Sequence, residues 1–190
     1  MAIDSQRIQR AVAELLAAIG EDPARPGLAD TPSRVAQAYG EFFAGLDTDP
    51  VAELGNGVPA GEQTGELVLV RGIDFRSICE HHLLPFTGVA HVAYVPAERL
   101  AGLGRLPRVV DALATRPQLQ ERLTDQIADA LEAGLAPQGV LVVLDAKHDC
   151  VSARGPRAVR STTVTVASRG TLATPEGRAE AMALITAGEA

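Results

Sequence analysis

Four segments with strand character, grouped as two pairs around one long amphipathic helix, restrict what this chain can fold into more than any other feature. Glu66 to Arg71, Phe86 to Val95, Val140 to Lys147 and Ser161 to Ala167 are each rich in Val, Ile, Leu or Thr, which suit a pleated, half-buried surface. The intervening sequence, about 40 residues, begins irregularly and then gives a helix in which Leu119, Leu123, Ile127, Leu131 and Leu135 keep a four-residue rhythm. Thr115 and Gln118 fit a capping box at its start, with Pro117 tolerated in the first turn. Paired strands on either side of inserted helices predict an α+β domain built on an antiparallel sheet with a helix pair inserted.

Upstream, Ile8, Val12, Leu15, Leu16 and Ile19 recur at helical spacing behind Asp4 or Ser5 as N-cap, and Gly20 ends the run. Thr31 as cap and Pro32 in the first turn announce a second helix, with Val35, Tyr39, Phe42, Phe43 and Leu46 as its buried stripe. The two predict an N-terminal helical hairpin. Residues 47–63 carry Gly55, Gly57, Pro59 and Gly61 without periodicity and read as a connecting loop. The chain thus divides into the hairpin and loop, residues 1–62, and a sheet-bearing domain, residues 63–190, which ends in a short Ala-rich helix or tail after Pro175. With 190 residues, 46% of them hydrophobic, there is enough chain for one core but not comfortably for two.

A net charge of −7 argues against a broad nucleic-acid footprint, which needs a basic face, while leaving room for a local basic pocket. Apolar runs such as Val140 to Leu144 are far too short to span a bilayer, and the N-terminus lacks the charged-then-apolar order of a signal peptide. The expectation is a soluble, cytoplasmic protein with no membrane partner. Two cysteines do not make the dense framework of a small secreted domain; reduced thiols or metal thiolates fit better.

Both cysteines and three of the four histidines fall in two short clusters. Cys79-Glu80-His81-His82 offers a thiolate, a carboxylate and two imidazoles, and the C-x-x-H spacing of Cys79 and His82 lets one turn chelate one ion. The second cluster is His148-Asp149-Cys150. If the strand from Val140 continues, its even positions carry His148 and Cys150 on the face of Val142 and Leu144. A closed structural zinc of Cys2His2 type is one alternative. However, Cys79, His81, His82, His148 and Cys150 are too many for four positions, and a core of this size does not need a metal to fold. Ligation by Cys79, His82 and Cys150 would leave one position open and free His81 and His148 for proton transfer, a catalytic pattern. His91, inside a strand between Ala90 and Val92, reads as structural.

Cys-Glu-His-His at 79–82, Gln120-Glu121-Arg122-Leu123-Thr124, and His148-Asp149-Cys150-Val151-Ser152-Ala153-Arg154-Gly155 together resemble the GTP cyclohydrolase I family. Thr31-Pro32-Ser33-Arg34-Val35 and Arg116-Pro117-Gln118 extend the resemblance, which runs from about Ile19 to Gly170. It implies a tunnelling fold, in which antiparallel sheets of several subunits close into a barrel, and a toroidal homodecamer with sites at subunit boundaries. It further implies zinc-dependent hydrolysis of GTP at C8, giving formate and dihydroneopterin triphosphate at the entry to pterin and tetrahydrofolate synthesis. By the same resemblance zinc would sit on Cys79, His82 and Cys150. His148 would exchange protons at the imidazole nitrogens, and His81 at the ribose ring oxygen. Glu121, with Gln120 beside it, would read the guanine edge; the plain alternative for Glu121 is a solvated charge in a helix's first turn. Arg105, Arg108 and Arg154 would hold the triphosphate, with Arg34 a weaker candidate.

Two departures stand out: Gly102-Leu103-Gly104-Arg105 replaces the family's usual Gly-Leu-Ser-Lys, and Gln37 stands where a basic residue is sometimes found. The first exchanges a hydroxyl and a compact ammonium for bare backbone and a planar guanidinium, so it bears on phosphate geometry rather than on reaction type. The alternatives are a paralogue of the same fold that feeds deazapurine synthesis or stops at the ring-opened formamide, a nitrile oxidoreductase of the same fold using a nucleophilic cysteine, and a non-enzymatic zinc-binding module. The paired Cys and His clusters argue against the oxidoreductase. The module would leave His81, His148 and Glu121 without a task.

Overall fold

Asp4 starts the first helix, α1 (Ser5–Ala18), by accepting the Arg7 backbone N–H at 2.9 Å. The computed structural model describes residues 3–61 and 65–187, so the expected division between residues 62 and 63 lies outside the described residues. The second helix, α2 (Thr31–Phe42), begins one position earlier than expected: Asp30 is the N-cap and Thr31 already helical, with Pro32 in the first turn, where a missing N–H costs nothing. The expected stripe of α2 is only partly covered. Ala36 is its buried residue, and Leu46, in the 3-10 turn Ala44–Asp47, is 49% exposed. Helices α1 and α2 touch each other, yet no described residue of α1 is buried, and its Leu15 and the C-cap Ile19 face outward.

Residues 47–63 are not simply a loop. Asp49 accepts the Val51 N–H at 2.9 Å and Pro50 occupies the first turn of a short helix, α3 (Pro50–Leu54). Its Leu54 is buried and packs so closely on α5 (Gln120–Leu135) that a Cβ on Gly134 would lie 2.5 Å from Leu54 Cδ1. Five residues are too few to show a helical period, although the Asp-Pro start was there to be read. Beyond it β1 (Val58–Pro59) pairs with β4 (Arg99–Leu100).

The main sheet runs in the order β5 (Pro117–Gln118), β2 (Val68–Cys79), β3 (Pro85–Val95), β6 (Gly139–His148), β7 (Thr163–Gly170). All pairs are antiparallel except β2 with β5. The first strand does not stop at Arg71 as expected. Its register shifts between Val70 and Ile73, with Gly72 at φ +66°, and the strand then continues to Cys79. A bulge of this kind breaks the period-two pattern without ending the strand.

Between the two strand pairs lie α4 (Arg105–Ala114) and α5. The expected capping box does not form: Leu119 is the N-cap of α5, and Pro117–Gln118 joins the sheet as β5. Thr115 instead donates its hydroxyl to Asp111 O at 2.7 Å, and the Gln118 amide goes to Leu113 O and Gln126 Oε1, both at 2.9 Å. One sheet face packs Val92, Tyr94 and Leu144 against Val109, Leu123 and Ile127 of these helices. The other face packs Leu141 and Val143 near Ala181 and Ile185 of the C-terminal helix, α7 (Pro175–Thr186), which Thr174 caps. The short α6 (Asp149–Ser152) follows β6 directly. No helix among the described residues is long and apolar enough to cross a membrane.

Candidate active site

The two clusters meet where β2 and β6 both end. Between Cys79, the last residue of β2, and Pro85, the first of β3, a tight turn forms: Cys79 N–H donates to Leu84 O and Leu83 N–H to Cys79 O, each at 2.9 Å, with Leu83 at φ +52°. The turn carries Glu80, His81 and His82 on its exposed side. Strand β6 stops at His148, opposite Phe86. Cys150 therefore lies in the helical turn α6 and not on a continued strand, which corrects the expectation of one even-numbered face from Val140 to Cys150. The turn nevertheless brings its thiol near enough to that of Cys79 for each to feel the other's charge. Burial, then the neighbouring Cys79, push the Cys150 thiol above its ordinary pKa, while the nearby Arg154 cation acts in the opposite sense.

His148 is held from two sides. Its ring stacks on Phe86, with centroids 4.6 Å apart and planes within 4°. Its Nε2 lies 2.7 Å from Gln120 Oε1. Burial lowers its pKa and favours neutral imidazole, opposed by the negative charge of Glu121 close by. Gln120 is 1% exposed, and its amide nitrogen lies 3.1 Å from Leu144 O, 2.8 Å from Thr163 O and 3.1 Å from Thr165 Oγ1. Thr124 donates its hydroxyl to Gln120 O at 2.7 Å and lies 2.6 Å from Thr165 Oγ1. The Gln120 side chain, expected beside Glu121 at the guanine edge, is thus engaged inside the protein. Glu121 is exposed in the first turn of α5.

Sequence reasoning passed over Phe86, Thr124, Thr165 and the ion pair of Glu80 with Arg122. The hydrogen bond from Arg122 holds the Glu80 carboxyl below the usual carboxylate range, and Arg122 Nε also reaches Gln118 Oε1 at 3.2 Å. Glu80 is therefore already engaged beside the cysteine turn. His91 is buried, with Nδ1 3.4 Å from the Gly72 N–H, as its structural reading predicts.

As a donor set, two neighbouring thiols suit a zinc ion. The third expected ligand, His82, shares the cysteine turn but is exposed, its ring centroid 6.4 Å from that of His81. Among the described residues no three His, Cys, Asp or Glu side chains are gathered closely enough to hold a metal. Arg154 lies near Cys150, but Arg105 and Arg108 do not join the cluster. They line a separate pocket of about 230 Å³ with Leu103 and Gly104, and Arg105 donates to Glu53 O at 3.3 Å.

The family and its curated relatives match nearly the whole chain. The GTP cyclohydrolase I family model matches residues 8–186. A GTP cyclohydrolase 1 from Leifsonia xyli subsp. xyli is 65% identical over 187 residues, spanning 98% of this chain and 98% of that protein. One from Carboxydothermus hydrogenoformans is 54% identical over 185 residues, 96% of this chain and 95% of its own length. Among solved structures, the archaeosine synthase QueF-Like in the apo form aligns with a TM-score of 0.46 at 19% identity, over 55% of this chain and 93% of that one. A match of that extent, with both Cys and His clusters inside it and meeting at one end of the sheet, shows that the chain belongs to the GTP cyclohydrolase I family.

Proposed function

We propose that this protein hydrolyses GTP at C8 of the guanine, releasing formate and forming dihydroneopterin triphosphate in the cytoplasm. The observation that carries the reading is the approach of the Cys79 and Cys150 thiols, far apart in sequence, at the strand end that presents His148. Cys79, Cys150 and His82 would hold zinc. When bound, zinc supplies Lewis acidity that makes water nucleophilic near neutral pH.

The chain's own side chains account for the remaining tasks. His148, whose neutral form burial favours, can accept a proton from the attacking water and deliver it to an imidazole nitrogen of the substrate's base. His81, on the exposed turn, is free to serve the ribose ring oxygen in the later rearrangement. Glu121 can accept hydrogen bonds from guanine N1 and its exocyclic amine, which adenine cannot offer in that pattern. Arg154, whose charge is felt at Cys150, suits the charge of a triphosphate.

Arg105 and Arg108 line a different pocket of the same chain, which favours a site completed by a neighbouring subunit. A tunnelling fold assembled as a decamer agrees with two further features. The edge strand β7 leaves Val164 56% and Val166 45% exposed, and Leu15 of α1 and Ile19 at its C-cap face solvent. Unpaired edges and apolar faces of this kind are ordinarily covered in an assembly.

Incubation with GTP followed by assay for formate, and for a fluorescent pterin after oxidation and dephosphorylation, tests the reading. Both products are expected. Formate without a pterin would identify an enzyme that stops after ring opening, and neither product would reject the proposal.

A further inference from the structure

We infer that Gln120 is a positioning residue that holds His148 as its Nε2–H tautomer and leaves the Nδ1 lone pair free for the site. The inference rests on the assignment of His148 to proton transfer made above. It starts from the orientation of one buried amide. Two of the three partners of Gln120 Nε2, the Leu144 and Thr163 carbonyl oxygens at 3.1 and 2.8 Å, can only accept. Turning the amide over would set its oxygen against both, so the nitrogen must face them and Oε1 must face His148.

Oε1 is itself only an acceptor, so at 2.7 Å the His148 Nε2 must carry the hydrogen. In the neutral ring Nδ1 is then the unprotonated nitrogen, and among the described residues it makes no hydrogen bond. The stack on Phe86 fixes the plane of the ring, and the Gln120 bond fixes its rotation within that plane. A half-turn about Cβ–Cγ would present carbon to Oε1 and lose the bond. The Thr124 and Thr165 hydroxyls, 2.6 Å apart, secure the amide in turn, Thr124 from the backbone oxygen of Gln120 and Thr165 at the amide nitrogen. Gln120 is 1% exposed, which separates this role from direct contact with a bound nucleotide.

Ring 15N shifts of the full-length protein, labelled at histidine and recorded where the imidazole is neutral, test the inference directly. Comparison with His148→Asn identifies the His148 signals among those of the four histidines. The expected result is a pyrrole-type, protonated Nε2 and a pyridine-type Nδ1; a protonated Nδ1 would overturn the inference, and this measurement needs no Gln120 variant to fold. Gln120→Met keeps the length of the side chain and removes both amide groups. It should blur the tautomer preference and lower kcat by roughly 10- to 100-fold, the range for losing an orienting partner behind a functional group, with KM for GTP little changed. A raised KM with unaltered kcat would make Gln120 a substrate contact and reject the positioning role. If His148→Ala still released formate, the catalytic reading of His148 would fail, while the wild-type spectrum would still decide what Gln120 does to the ring.

Discussion

Replacing Gly88 by Ala tests the register on which the site depends. Gly88 on β3 is paired with Ala146 on β6, and a Cβ built there would lie 2.0 Å from Asp145 O, 2.6 Å from Ala146 Cα and 2.8 Å from Ala146 Cβ. Real Cβ atoms essentially never come within 3.0 Å of such neighbours, and two of the three are backbone atoms that cannot rotate away. Relief requires the central strands to part, so the cost should reach the upper end of the overpacking range, about 3 kcal/mol. With a urea m-value of roughly 2 kcal/mol/M, the unfolding midpoint should fall by about 1.5 M. The same displacement acts on the next pair along the ladder that faces the site, Phe86 with His148, so kcat should fall as well. Far-UV circular dichroism in urea at one fixed protein concentration reads the first effect, because assembly makes stability concentration-dependent. Gly40→Ala in α2 is the control: its Cβ meets nothing within 4 Å, and a gain of about 0.4–1 kcal/mol is expected from the stiffer unfolded chain. A Gly88→Ala midpoint within about 0.3 M of wild type would mean that β3 and β6 are not paired in this register.

Cys150→Ser should strip bound zinc, measured by elemental analysis, and abolish formate release; full metal content with full activity would remove the proposed site. Glu121→Gln should lower kcat/KM for GTP by roughly 10- to 100-fold, the effect of losing charge-assisted hydrogen bonds, and wild-type enzyme should turn over ATP poorly. Equal use of ATP and GTP by the wild type would show that Glu121 does not read the base. Leu54→Ala, which empties the buried contact between α3 and Gly134, should cost about 2–5 kcal/mol in a denaturant titration, and no loss would return residues 50–54 to the status of a loop.

The strands were legible because burial on a sheet leaves a run of β-branched residues, and three of the four expected segments fall within three residues of β3, β6 and β7 at either end. The exceptions have local causes. Gly72 at φ +66° interrupts the alternation of β2, so the part that leads into the cysteine turn is hidden from a period-two reading. Leu119 displaces the Thr115 capping box because Pro117 and Gln118 gain a strand partner in Ile78 and Cys79, a long-range pairing that no local propensity records. Exposed apolar residues on α1 follow the same logic: amphipathic spacing states that a face is to be covered, not by what.

At the site, the meeting of the two Cys and His clusters was legible and the supports of His148 were not, because a support is chosen by packing and not by chemical type. Phe86 becomes a partner of His148 only once β3 and β6 are in register. For Gln120 and Glu121, however, a usable signal lay in the phase of α5. Gln120 stands three and four residues before Leu123 and Thr124 and seven before Ile127, all buried. Glu121 instead stands with Asp125, Asp129 and Glu132 on the exposed side. Adjacent helical residues differ by about 100° in direction, so a motif that places Gln beside Glu need not aim both side chains at one ligand. The helical period, applied to the motif itself, turns Gln120 toward Leu144 and His148 and leaves Glu121 to face whatever binds outside.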